Sequence, residues 1–405
     1  MCNKNLLNIP CVVNFGCRLN ACESEKIEEI ACELGLSGFV IINSCAVTAE
    51  AERQVKQYIR KIHNENPSAK IIITGCASEN DAETFSKMEG VVGIIENSKK
   101  LDANSYIKYA SSSTKISKLE KNNVRAFVQI QNGCDNACTY CIVRKTRGSS
   151  ISFHPETILA DIVDRLNNES VKEIVLTGVN ISSYNFNGLS LANLCRFLLR
   201  NLDGLKRLRL SSLDPADLDD DFIVLFKDED RMMPHIHLSI QSGDDMVLRR
   251  MLRRHSRDQV IHLINKVRSV RPDVVFGADF IAGFPTETDE MFQNTYDFIK
   301  ECNIQLCHIF PYSERPGTAA ACMPQVDKKI RRQRARELIR ISDEILEKKL
   351  RSYIGKLVTV LAETDHSGKT DNFLHVETED VLQVGRTYNM FGVDCNDGKL
   401  IAKVK

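Results

Sequence analysis

At 405 residues the chain is long enough for two or three domains, each with its own core. Its 54 basic and 54 acidic side chains cancel and 43% of its residues are hydrophobic, which excludes a disordered or histone-like chain and leaves any nucleic-acid surface local. The start of the chain lacks the basic-then-apolar pattern of an export signal, and no apolar run reaches the roughly 18 to 20 residues of a membrane span, so a cytoplasmic location is expected. Fifteen cysteines, an odd number, then point to metal or redox chemistry rather than a disulfide framework.

Residues 10–95 alternate β-branched runs (11–15, 39–42 and 70–74) with helical segments. Thr48 can cap the polar helical stretch 49–65, and 23–33 carries apolar residues at helical spacing. This alternation predicts a parallel sheet with crossover helices, the core of a domain spanning 1–110. Cys17, Cys45 and Cys76 fall just past the three runs. The carboxyl ends of parallel strands share one edge, where ligands bind, so the three cysteines either converge there or are separately buried. The polar stretch 111–123 reads as a linker.

A second alternation occupies 124–327, with expected strands at 124–130, 173–176, 205–210, 235–240, 274–281 and 304–310. Six strands separated by helical stretches predict a (β/α) barrel, open or closed, with its chemistry at the C-terminal strand ends. Past the first strand stand Cys134, Cys138 and Cys141, in a C-x3-C-x2-C arrangement. Three thiolates on one short loop can wrap three corners of a cubane [4Fe–4S] cluster and leave the fourth iron open to an outside ligand. A zinc site needs a fourth thiolate or imidazole instead, and the nearest histidine in sequence, His154, is some distance along the chain. Small and polar residues close the later strands: Thr177-Gly178, Ser211-Ser212, Gln241-Ser242-Gly243 and the segment 279–288.

A basic helix, 328–354, follows the barrel and includes Arg331, Arg332, Arg334, Arg336 and Arg340. It reads either as a solvated face paired with Glu337, Asp343, Glu344 and Glu347 or as an RNA contact. Short β runs at 356–361 and 373–376, with turns at His366-Ser367-Gly368 and Asn396-Asp397-Gly398, predict a small all-β domain over 355–405. That domain holds six basic and eight acidic residues, a poor balance for binding phosphates.

Cys134-x3-Cys138-x-Tyr140-Cys141 after a first barrel strand resembles the radical S-adenosylmethionine (SAM) superfamily. The resemblance implies an α/β fold with an open (β/α)6 barrel, a [4Fe–4S] cluster on Cys134, Cys138 and Cys141, and a SAM molecule whose reductive cleavage yields a 5′-deoxyadenosyl radical. It also implies cofactor contacts from Tyr140 near the adenine, from Thr177 and Gly178 at the amino group, and from Ser212 and Gln241 at the ribose and carboxylate. Phe15-Gly16-Cys17-Arg18-Leu19-Asn20, Asn43-Ser44-Cys45-Ala46-Val47-Thr48 and Thr74-Gly75-Cys76-Ala77 are similar to the three cysteine motifs of the methylthiotransferases. Residues 308–318 resemble the end of the radical domain of that family. By this resemblance Cys17, Cys45 and Cys76 hold a second, auxiliary [4Fe–4S] cluster that carries or donates sulfur, and the C-terminal segment is a short TRAM-like domain. One SAM then supplies the methyl group and another the radical, with no conventional acid, base or nucleophile required of the protein.

Glu23-Ser24-Glu25, residues 310–318 and Met323-Pro324-Gln325-Val326 are most similar to the branch that methylthiolates C2 of N6-threonylcarbamoyladenosine beside the anticodon of tRNA. Sister branches act on isopentenyladenosine of tRNA or on an aspartate of a ribosomal protein, and a non-enzymatic iron–sulfur electron carrier would need no SAM site. The implied partners are a tRNA anticodon stem-loop, a flavodoxin- or ferredoxin-type reductant and a sulfur source, and a monomer is expected. Arg144, Lys145 and Arg147, the arginine-rich stretch 249–257 with His255, and the basic helix are the expected phosphate contacts, which position RNA without reading its bases. Cys2, Cys11, Cys22, Cys32, Cys195, Cys302, Cys307, Cys322 and Cys395 have no assigned role and read as structural or incidental.

Overall fold

A computed structural model describes residues 9–110, 116, 123–168 and 171–405, so the expected linker lies outside the described residues apart from Ile116 and Asn123. None of the described helices is long and apolar enough to cross a membrane. The β-branched runs form β1 (Cys11–Asn14), β2 (Phe39–Ser44) and β3 (Lys70–Gly75), joined by a fourth strand, β4 (Val91–Ile94). All pair in parallel, in the order β1-β2-β3-β4. Successive side chains of a strand point to opposite faces. Ile42, Ile71 and Ile73 accordingly join one apolar cluster with Val55, Ile59 and Phe85, while Ile41 and Ile72 join another with Ile27, Leu36 and Tyr106. The helix Arg18–Glu33 connects β1 to β2, and Ala49–Glu65 connects β2 to β3. Thr48 caps the second of these, its Oγ1 accepting from Ala51 N at 3.1 Å.

The chain forms two compact units that do not follow one another along the sequence. Residues 132–151 and 313–318 belong with the N-terminal sheet. The reason is local bonding: Asn97 Nδ2 donates to Thr146 O (2.6 Å), Ala49 N to Ser313 Oγ (3.0 Å), and Arg315 pairs with Glu52 (2.7 Å).

The other unit holds six parallel strands in chain order: β5 (Arg125–Gln129), β6 (Glu173–Thr177), β7 (Leu208–Leu210), β8 (His235–Gln241), β9 (Val275–Ala282) and β10 (Leu306–Pro311). The third position is broken at Ser211, with Leu208–Leu210 pairing to β6 and Ser212–Leu213 to β8. The first and last strands do not pair, so the barrel is open. Val128, Ile174, Leu176, Ile236, Leu238, Phe276 and Phe280 build its core.

The helix Lys328–Arg351 leads into a closed five-stranded barrel of β11 (Leu357–Ala362), β12 (Ser367–Thr370), β13 (His375–Glu377), β14 (Thr387–Asn396) and β15 (Lys399–Val404). Part of its acidity is spent internally. Glu363 pairs with Arg125 (2.6 Å) and Asp371 with Arg207, at the starts of barrel strands, while Arg209 Nη2 donates to Asp371 O (3.1 Å). Phe373 lies under the same arginines, 4.7 Å from Arg209 and 5.2 Å from Arg125, and stacks on His235 at 4.7 Å. Glu173, fully buried, completes the cluster by bonding to Arg125, Arg207 and Arg209.

Candidate active site

The N-terminal unit brings Cys17, Cys45 and Cys76 to one edge of its sheet, each within three residues of a strand end. A polar network holds the three loops. Asn20 Nδ2 donates to Asn43 Oδ1 (3.0 Å) and Ser44 O (3.2 Å), and Asn43 Nδ2 returns to Asn20 O (3.0 Å) and Ser24 Oγ (3.1 Å). Ser44 Oγ donates to Thr74 O (2.6 Å) and accepts from Ser78 N (3.2 Å), which ties the Cys45 loop to the Cys76 loop. Gly75, at φ +97°, has no room for a side chain, since a Cβ would lie 2.4 Å from Ser44 O. Burial pushes the Cys45 thiol up to about 11, and the nearby sulfurs of Cys17 and Cys76 add to the shift. Cys17 is exposed, whereas Cys45 and Cys76 are buried, and none of the three is in a disulfide.

The loop with Cys134, Cys138 and Cys141 belongs to the same unit. Its ends close on each other through Cys134 N donating to Gly148 O (3.1 Å), and Gly133 (φ +70°) is required because a Cβ there would meet Ser149 O at 1.9 Å. Within the loop Cys141 N donates to Cys138 O (3.1 Å), and Val143 N to Cys141 Sγ (3.4 Å). The next residue, Ile142, is buried in the apolar cluster of the N-terminal sheet. His154, the histidine nearest to this loop in sequence, pairs with Glu156 and packs edge-on against Phe186.

Arg147 corrects an expectation. Its side chain is 3% exposed and meets Glu23, Asn20, Asn132 and Cys76, so it is not available to a phosphate. Burial works against its charge, but Cys76 and Glu23 outweigh that and hold the guanidinium above its usual range. Burial likewise opposes the charge of Glu23, and Lys100 with Arg147 holds its carboxyl below the ordinary range. Arg144 and Lys145 are exposed.

In the barrel unit, Thr177 is buried at the end of β6. Gly178 has no room for a side chain, because a Cβ would lie 2.7 Å from Gln131 O. Gln131 Oε1 accepts from Val179 N (3.0 Å) and Asn180 N (2.9 Å), fixing that turn. Ser212 Oγ bonds to Ser239 Oγ (2.7 Å) and Asp279 Oδ2 (3.3 Å). Gln241 sits at φ +76° where β8 and β9 slip register, a strained backbone of the kind that gathers at functional sites. His237, which the sequence reading did not single out, meets two residues it named only as the first of longer segments: Asp279 Oδ1 takes His237 Nε2 (3.0 Å) and His308 Nδ1 (3.3 Å). Only its alternation along β8 signals His237, and many barrel residues share that pattern.

The arginine-rich stretch holds loops more than it faces solvent. Arg253 bonds to Asp214 (3.1 Å) and Ser239 O (2.5 Å), Arg257 to Gly243 O (3.1 Å) and Asn294 O (2.7 Å), and Arg250 to Thr286 O (3.1 Å). His255 is buried against Ile240 O (3.2 Å). Ser239 O and Ile240 O belong to β8, Gly243 O and Thr286 O to loops that follow strands, and Asn294 O to the helix Asp289–Glu301; with their side chains engaged there, phosphate binding by these four residues is set aside. The basic helix divides in the same way: Arg331 donates to Val326 O (2.7 Å) and Tyr312 O (3.2 Å), and Arg334 pairs with Glu287 (2.8 Å), while Arg332, Arg336 and Arg340 are exposed.

An open six-stranded parallel barrel whose first strand is followed along the chain by a three-cysteine loop defines a radical SAM enzyme, and residues 128–299 match the family model of the Radical SAM superfamily. Residues 10–96 match that of Uncharacterized protein family UPF0004. The fold is shared with the radical S-adenosylmethionine methyltransferase TsrM of Kitasatospora setae, at a TM-score of 0.55 and 11% identity over 78% of this chain and 75% of that one. Threonylcarbamoyladenosine tRNA methylthiotransferase MtaB of Rickettsia prowazekii is 41% identical over 402 residues, 96% of this chain and 95% of its own length. MtaB of Thermotoga maritima is 34% identical over 373 residues, 87% of this chain and 86% of its own. The chain belongs to the radical SAM methylthiotransferase family.

Radical SAM chemistry brings with it a [4Fe–4S] cluster and SAM. Both cysteine sets fit such a group: each offers three soft sulfur ligands, and among the described residues neither is completed by a histidine or carboxylate into a compact zinc-type site.

Proposed function

We propose that the protein methylthiolates C2 of N6-threonylcarbamoyladenosine next to the anticodon of tRNA, using two [4Fe–4S] clusters. The observation that carries this reading is the pair of cysteine triplets, one on three strand ends and one on a single loop, in a chain 41% identical to a named threonylcarbamoyladenosine tRNA methylthiotransferase. Cys134, Cys138 and Cys141 hold the SAM-cleaving cluster, and Cys17, Cys45 and Cys76 the sulfur-bearing one. When bound, these groups and SAM supply the sulfur, the methyl group and the radical that opens the C2–H bond.

The protein's part is to hold and orient. Asn20, Asn43 and Ser44 lock the strand-end loops, Tyr140 lies against the adenine of SAM, and Thr177, Gly178, Ser212 and Gln241 line the rest of it. A base reaches such a site by leaving its stack, which costs least in a single-stranded loop. The reductant is a flavodoxin- or ferredoxin-type protein, and the enzyme works in the cytoplasm.

The test is anaerobic turnover with anticodon stem-loops carrying N6-threonylcarbamoyladenosine, isopentenyladenosine or unmodified adenosine, read by mass spectrometry. A methylthio mass gain on the first alone is expected. Modification of the second instead, or of a ribosomal protein with none of the three stem-loops, overturns the substrate assignment.

Arg332, Arg336 and Arg340 stand four residues apart on one exposed face of the helix, a spacing that lines up side chains along its axis. They are proposed to contact phosphate, as are Arg144 and Lys145, which are exposed in the other unit. Changing all three helix arginines to alanine is expected to reduce the slope of log affinity against log salt by about 2 to 3, roughly one per lost phosphate contact. An unchanged slope in a filter-binding titration removes the helix from the RNA surface.

A further inference from the structure

We propose that Arg147 is a positioning residue for the sulfur-bearing cluster, presenting an N–H to the sulfur of Cys76 and so raising the reduction potential of whatever iron–sulfur group that cysteine holds. The inference rests on the two-cluster reading above and adds a residue that reading does not use.

A guanidinium carries five N–H bonds in a fixed planar fork. In Arg147 all five are spent: Nη1 donates to Glu23 Oε1 (2.8 Å) and Asn132 Oδ1 (3.1 Å), Nη2 to Glu23 Oε2 (3.1 Å) and Asn20 Oδ1 (3.1 Å), and Nε to Cys76 Sγ (3.3 Å). The bidentate grip of Glu23 fixes the plane and the two asparagines fix its rotation, leaving Nε–H aimed at the sulfur. Glu23 is held in turn by buried Lys100, whose ammonium pairs with it, so the clamp is itself anchored in the core. Asn20 Oδ1 also lies 3.2 Å from Cys17 Sγ, which places a second of the three cysteines beside the same clamp. Asn97 Nδ2 approaches Cys76 Sγ from another side at 3.7 Å.

Two features separate this from an ordinary core ion pair. Glu23 alone would satisfy two of the five donors, and nothing in ion pairing requires the remaining edge to face a thiol. Arg147 also ends the five-residue helix Val143–Arg147 directly after the Cys134–Cys138–Cys141 loop, so one side chain connects that loop to a ligand of the other triplet. Hydrogen bonds to a cluster's sulfurs favour its reduced, more negative state, because the donor dipole stabilises added charge.

The experiment isolates the second cluster by replacing Cys134, Cys138 and Cys141 with alanine in the full-length chain. After anaerobic reconstitution, iron is counted and the midpoint potential is read by redox-titrated electron paramagnetic resonance in this background, and again with Arg147→Met and Arg147→Lys. With Arg147→Met the ratio of reduced to oxidised cluster at a fixed potential is expected to fall about tenfold, a shift of about 59 mV for one electron. Arg147→Lys keeps the charge but not the fork, and is expected to recover only part of the shift. Iron bound in both variants at an unmoved potential overturns the inference while leaving the two-cluster reading intact. Loss of iron from both variants makes Arg147 a structural prop and overturns it as well. A background protein that binds no iron on Cys17, Cys45 and Cys76 removes the two-cluster reading, and the inference with it.

Discussion

Replacing Cys17, Cys45 and Cys76 by alanine is expected to halve the iron of anaerobically reconstituted protein, from about eight to about four per chain, while reductive cleavage of SAM persists and methylthiolation stops. The expectation follows from the separation of the two sets of ligands. One set is local, on a loop closed by the Cys134–Gly148 hydrogen bond. The other is spread over three strand ends joined by Asn20, Asn43 and Ser44, and alanine leaves every hydrogen bond among those three residues in place. About four irons in both proteins would leave a radical SAM enzyme with no sulfur-donating cluster. Loss of SAM cleavage in the triple variant would show that the two sets do not act as separate sites.

The largest expected loss of stability lies far from the cysteines in sequence and chemistry. Glu173→Gln removes the one carboxylate that Arg125, Arg207 and Arg209 share at the start of the barrel strands. Burial opposes the charge of Glu173, yet Arg209, Arg125 and Arg207 hold its carboxyl well below the usual range. Burial already pulls the Arg209 guanidinium below its own usual range even with that partner present. Leaving buried cations without their anion costs about 3–5 kcal/mol, or roughly 10 °C in the Tm of a unit this size. Asp371 and Glu363 remain for Arg207 and Arg125, but Arg209 keeps no carboxylate, only neutral acceptors such as the Asp371 carbonyl and the face of Phe373. A calorimetric Tm within about 2 °C of the parent would mean that the C-terminal residues alone neutralise the cluster.

Legibility in the sequence followed the range of the interaction involved. Strands 39–42 and 70–74 were readable because both faces are buried and only unbroken β-branched runs satisfy that. The fourth strand, Val91–Ile94, is shorter and contains Gly93, so its run is too weak to stand out. The break at Ser211 left no trace either, since Ser211-Ser212 closes a strand as well as it interrupts one. Charge was the least legible property. Arg147, Arg253 and Arg334 look the same in sequence as Arg144, Arg332 and Arg336, and only the first three have carboxylates or sulfur brought to them by the fold. The acidity of the C-terminal domain reads as a defect in an RNA binder until Glu363 and Asp371 are seen against Arg125 and Arg207.

The sequence by itself determined the chemistry that six cysteines can perform. A C-x3-C-x2-C loop brings its own three sulfurs together through a few backbone torsions, and cysteines one to three residues past parallel strands share an edge once the strands pair in order. The tertiary structure alone decided what surrounds those sulfurs and which cations remain for a polyanion. A guanidinium is placed by acceptors that come from Asn20, Glu23, Cys76 and Asn132, far apart in the chain, and no local pattern records a meeting of that kind.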